Sequence, residues 1–192
     1  MALLRSSTRL RRAVAPLALA LAVGVCTPVS TAAAPALEYA VKANYLYKFG
    51  PFVEWPSSAF AASTAPFKVC VLGNDPFGAA LDEAVRGQTV SGHPVVVRRL
   101  QRVAGDPDCQ VLYIARSGAQ RPADILHLLR DAPVLTVTDE AQGVEGGIVH
   151  FVLRDGRVRF AIDQQAAKTS GLVLSSKLLG LAVEPTRKGD RP

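Results

Sequence analysis

From Leu37, apolar side chains recur at Ala40, Val41, Tyr45, Phe49 and Phe52, and this near-3.6-residue spacing predicts an amphipathic helix that Gly50 and Pro51 end or kink. Tyr45 and Phe49 share its apolar face with Leu37 and Val41, whereas Tyr47 lies off that face. The run FKVCVL at Phe67–Leu72 reads as a strand, followed by the turn Gly73-Asn74-Asp75-Pro76 and a short helix to about residue 85. Segments 94–100, 111–115 and 134–138 are rich in Val, Ile and Leu and read as further strands, while 122–130 is a helix opened by proline. Strands that alternate with helices favour a parallel or mixed sheet covered on both faces.

The closing third changes character. Segments 148–153 and 157–162 flank Asp155-Gly156, the strongest short hairpin signal, so two antiparallel strands meet there. Asp163 caps a helix that stops at Gly171, and Ser175-Ser176 start a last one through Leu181. The pattern predicts a single-domain α/β three-layer sandwich over residues 37–184, a mixed sheet with a C-terminal antiparallel hairpin and helices on both faces. Residues 185–192 form a polar tail.

Charge alters this picture at the ends. The formal charge is +6 and the basic residues number 22. Four of them, Arg5, Arg9, Arg11 and Arg12, fall in the first 34 positions, which carry no acid, and an apolar run from residue 14 to 25 follows, too short for a membrane span. That order reads as a secretory signal over residues 1–34, with a retained apolar helix as the alternative and cleavage after Ala33 or Ala36 also open. Cys26 leaves with the signal. Without it, 18 basic residues face 16 acidic ones, and the tail accounts for the remaining excess. The domain itself is neutral, which argues against binding nucleic acid through a basic patch.

Two cysteines then remain, Cys70 and Cys109, in an oxidising compartment. A bridge between them would stabilise the fold by about 4 kcal/mol in the chain-entropy model. Two buried free thiols are the alternative reading.

Tests for chemistry return little. Gly73-Asn74-Asp75-Pro76-Phe77-Gly78 lies between a strand and a helix, where a phosphate cradle would sit, but Ala79-Ala80 stand where a phosphate loop needs Lys and Ser or Thr. A tight turn with a capped helix is the simpler reading, and a small ligand at Gly73, Asn74 and Asp75 stays open. His93, His127 and His150 have no second ligand at metal spacing, no G-x-S-x-G elbow is present, and the cysteines are not a C-x-x-C pair. The expectation is a protein without catalytic residues, metal or cofactor. The aromatic group Tyr45, Tyr47, Phe49, Phe52 and Trp55 reads either as core or as a binding surface, with Trp55 beyond the helix end the candidate for partial exposure.

Several blocks carry a resemblance. Lys42-Ala43-Asn44-Tyr45-Leu46-Tyr47-Lys48-Phe49 with Phe52-Val53-Glu54-Trp55-Pro56, then Val69-Cys70-Val71-Leu72-Gly73 with Asp75-Pro76-Phe77, resemble the YfiR family of periplasmic proteins. Cys109-Gln110-Val111-Leu112-Tyr113-Ile114, Val134-Leu135-Thr136-Val137-Thr138-Asp139, Gly146-Gly147-Ile148, Phe160-Ala161-Ile162-Asp163 and Gly171-Leu172-Val173-Leu174-Ser175-Ser176-Lys177-Leu178-Leu179 continue it in order, over about residues 38 to 183. The resemblance implies a non-catalytic repressor that binds the periplasmic sensor region of an inner-membrane diguanylate cyclase, lowers cyclic di-GMP and restrains biofilm formation. It also implies a homodimer and structural or redox-sensitive disulfides. This chain lacks the second cysteine pair that some relatives carry in the later half, and Asp163 stands where the pattern usually has Asn. Joined with the hairpin signal, it places the partner-binding surface at Phe160, Asp163 and Lys168, with Trp55 a further contact for self-association or the partner. A periplasmic small-molecule binding protein, or an accessory to another membrane sensor, is the competing reading.

Overall fold

A computed structural model of the chain describes residues 33–62 and 64–184. The expected export signal, apart from Ala33 and Ala34, and the polar tail therefore lie outside the described residues. Helix α1 (Ala33–Lys48) leads through a short turn into β1 (Val53–Glu54), then β2 (Phe67–Leu72), α2 (Ala79–Val85), β3 (Thr89–Val90) and β4 (His93–Leu100). There follow β5 (Val111–Ile114), α3 (Pro122–Leu128), β6 (Leu135–Asp139), β7 (Val149–Arg154) and β8 (Arg157–Ile162). Helix α4 (Gln164–Thr169), β9 (Val173–Leu174) and α5 (Ser176–Leu181) close the domain.

Seven strands form one mixed sheet in the order β3-β4-β2-β5-β6-β7-β8, parallel from β4 to β7 and antiparallel at both edges. Strands β1 and β9 pair antiparallel in a separate two-stranded ribbon, which the periodicity did not predict because two-residue strands carry no period.

Alternate residues of the central strands feed two cores. Val69, Val71, Val111, Tyr113, Leu135, Val137, Val149 and Phe151 pack under α1, α2, α4 and α5, while Cys70, Leu72, Leu112 and Ile114 pack against Ile125 and Leu129 on the other face. The three layers expected from the sequence are present. The hairpin is also as expected: Asp155 (φ 51°) and Gly156 (φ 67°) both take the left-handed conformation that a two-residue primed turn needs. Asp163 Oδ1 accepts from Ala166 N at 2.9 Å and Ser175 Oγ from Leu178 N at 3.3 Å, so both expected helix caps form.

The face of α1 is a correction. Leu37 is 67% exposed and Val41 37%, whereas Lys42, Ala43, Leu46 and Tyr47 are buried. Phe49 and Tyr45 pack on Phe151 and Phe160 with ring centroids 5.2–6.0 Å apart. The buried stripe is rotated relative to the one the apolar spacing defines, because a lysine sits inside it and an apolar count assigns lysine to solvent.

Gly50 follows α1 where the chain passes closest to the sheet. A Cβ there would stand 2.7 Å from Val90 Cγ1 and 2.9 Å from Phe67 Cζ, so any larger residue would force these core side chains to shift.

Candidate functional site

The strand order reverses between β2 and β5, and at such a switch point the loops beyond the carboxyl ends form the usual ligand crevice of a doubly wound sheet. Here those loops are tied together. Asn74 N donates to Arg116 O at 3.2 Å, and at Gly73 (φ 92°) a Cβ would lie 3.0 Å from Ser117 Cβ and 3.1 Å from the carbonyls of Ala115 and Arg116. Asp75 Oδ1 accepts from Phe77 N (2.7 Å) and Gly78 N (3.3 Å), while Oδ2 accepts from Arg99 Nε (2.7 Å). The Arg99 fork also donates to both oxygens of Asp82, at 3.0 and 2.8 Å, and to Gly78 O. These bonds raise the Arg99 pKa, and the hydrogen bonds from Arg99 hold the Asp82 carboxyl below its ordinary range. The Asp75 carboxylate and the backbone N–H groups of Gly73 and Asn74 are thus bonded within their own chain, while Asn74 stands exposed.

Beside this crevice, under the middle of α1, lies a buried polar cluster. Lys42 Nζ donates to Asp139 Oδ1 and Oδ2 at 2.8 and 2.7 Å and also bonds Glu38; the Lys42 and Asp139 side chains are each 1% exposed. Tyr113 Oη donates to Asp139 Oδ2 (2.8 Å) and Ala141 N to Oδ1 (3.0 Å). The ammonium lies 4.9 Å from the Tyr39 ring centroid, and Gln142 Nε2 donates to Tyr39 Oη at 2.7 Å. Burial first, then the Asp139 carboxylate, pushes the Tyr113 hydroxyl far above its ordinary value. Asp139 therefore joins α1, β5, β6 and the turn after β6 through one carboxylate. Neither Lys42 nor Asp139 stands out in the sequence, since nothing in spacing pairs residues 97 positions apart.

The far edge of the sheet carries the hairpin and α4. Asp163 and Lys168 are exposed there, Asp163 as the cap of α4. Phe160 is placed differently from the expectation: it is 3% exposed and belongs to the aromatic core with Tyr45 and Phe49, because its position on β8 faces α1. Its backbone carbonyl, by contrast, faces outward and accepts from Val183 N at 2.9 Å. Trp55 is half-buried, edge-on to Phe67 with centroids 5.7 Å apart, its Nε1 directed at Gly50 O at 3.5 Å. Cys70 and Cys109 are joined in a disulfide, with Cα atoms 6.1 Å apart. The bridge pins the segment before β5 to β2 on the α3 face. Among the described residues, no buried side-chain nitrogen or oxygen lacks a partner and no helix is long and apolar enough to cross a membrane.

Fold and surface together define a doubly wound α/β domain of one mixed sheet, with its switch-point loops laced to each other. Residues 39–183 match the YfiR/HmsC-like family, and the chain belongs to it. That family is a regulatory one, placed in the periplasm and connected with diguanylate cyclase signalling. Among curated proteins none matches the chain.

Proposed function

We propose that this protein acts in the periplasm by contact rather than by turnover. It binds the sensor region of an inner-membrane diguanylate cyclase and holds the enzyme inactive, so that cyclic di-GMP falls and biofilm formation is restrained. The observation that carries the reading is family membership across residues 39–183, nearly the whole described domain. The surface that suits it best is the hairpin edge with α4, where Asp163 and Lys168 stand exposed on a rigid base. Half-buried Trp55, with one side of its ring packed against core residue Phe67, serves self-association into a homodimer.

The test combines membrane pull-down with cyclic di-GMP measurement. Deletion of the gene should raise cyclic di-GMP, and the wild-type chain should retain a cyclase from solubilised membranes. Lys168→Glu should weaken retention without lowering the melting temperature. Asp163→Asn is the companion variant, because it removes the charge and keeps the cap. A chain whose deletion leaves cyclic di-GMP unchanged would sink the proposal.

A further inference from the structure

The outermost strand β8 carries backbone groups for which the described residues supply no partner. Arg154 and Arg157 close the two-residue turn as a hydrogen-bonded pair, and bonded and non-bonded pairs alternate from there along the register. Val158, Phe160 and Ile162 therefore direct their N–H and C=O groups away from β7. One of these, the Phe160 carbonyl, is taken by Val183 N; at Val158 no backbone partner is found among the described residues. The side chains alternate as well. Arg157 and Arg159 stand exposed on one face and form no ion pair among the described residues, whereas Arg154 beside them bonds Glu140 at 3.3 Å. On the other face Val158 is half-buried opposite Leu153, which is 43% exposed.

We propose that β8 is a docking edge for an extended acidic segment of the partner protein, which adds as a further strand. Its carboxylates fall at alternate positions against Arg157 and Arg159, and its apolar side chains fall between them, toward Val158 and Leu153. The inference rests on the regulatory reading above and names the chemistry of its partner at the same surface. Charge selects the occupant. Strand addition places side chains of the incoming strand directly opposite those of β8, where opposite charges attract and like charges repel. A second copy of β8 would set arginine against arginine, and the chain's own end, with Arg187, Lys188 and Arg191 against Asp190, has the wrong sign.

The full chain is titrated with a synthetic peptide of alternating glutamate and valine, with its lysine counterpart, and with phosphatidylglycerol vesicles. The glutamate peptide should bind and slow amide exchange at Val158. The double variant Arg157→Glu/Arg159→Glu should lose at least about tenfold in that affinity, keep its melting temperature and bind the lysine peptide instead. Equal binding of both peptides, binding of neither, or slowed exchange only elsewhere would overturn the proposal, leaving the arginines as guards of an open edge. Vesicle binding that needs the arginines, without peptide binding, would overturn it in favour of an anionic lipid surface. A double variant that loses the peptide yet still lowers cyclic di-GMP overturns the docking edge and leaves the regulatory reading standing. A wild-type chain that binds the peptide but leaves cyclic di-GMP unchanged overturns the regulatory reading, and with it the partner named here.

Discussion

Lys42 and Asp139 form a buried ion pair in which each side chain compensates the other. Both side chains are almost wholly removed from water, and breaking a buried pair from one side costs about 3–5 kcal/mol, because the survivor is left uncompensated. Lys42→Met should therefore lower unfolding free energy by about that amount, read by urea denaturation. The double variant Lys42→Met/Asp139→Asn should recover part of the loss; a double-variant loss equal to the sum of the two single-variant losses would show that the pair is not coupled. His150 gives a second test at this scale. Thr138 Oγ1 accepts from Gly147 N at 3.1 Å and lies 2.9 Å from His150 Nδ1, so its proton is free for a neutral ring. Burial lowers the His150 pKa below 6.5, which means that the unfolded chain takes up the proton first as pH falls. Stability should be full above pH 6.5 and decline below it toward the lowered folded value, and His150→Gln should flatten that decline in melting curves taken across the window.

At the scale of elements, the hairpin and the caps were legible because their causes are local. Asp155-Gly156 takes two left-handed residues in sequence, and Asp163 and Ser175 cap from one position before their helices. Helix α1 was legible as a helix but not in its rotation. Its extent follows from its own period, while its face follows from Asp139 on β6, which no local pattern contains. The exit from α1 carries the third prediction. Trp55→Ala should leave the chain folded, since the ring is only half-buried, and should abolish the homodimer proposed above in sedimentation measurements. Truncating a core aromatic such as Phe151 costs about 3–5 kcal/mol instead, so an unfolded Trp55→Ala would return that ring to the core.

For the whole molecule, the disulfide and the sheet order govern how distant segments stay together. The bridge closes a separation of 39 residues, and its loss should cost about 2–5 kcal/mol. Cys109→Ser should show that loss in denaturant unfolding, and wild-type protein should gain two hydrogens in intact mass on reduction. An unchanged mass would contradict the bridge.

The sequence by itself determined the longer elements, their order, the three layers, the caps, the hairpin turn and the candidate cysteines, because each depends on chain neighbours or on a short list of partners, whereas the two-residue strands β1, β3 and β9 carry no period. Only the tertiary structure decided that Phe160 is core while its carbonyl faces outward, that Asp75 is consumed by Arg99, and that Lys42 is buried on Asp139. It alone set Arg157 and Arg159 exposed on the outermost strand of the sheet. The physical reason is common to all four. Whether a polar group is buried, satisfied or free depends on which residues the sheet order brings opposite it, and strand order couples positions far apart in the chain through hydrogen bonds and packing that carry no local period.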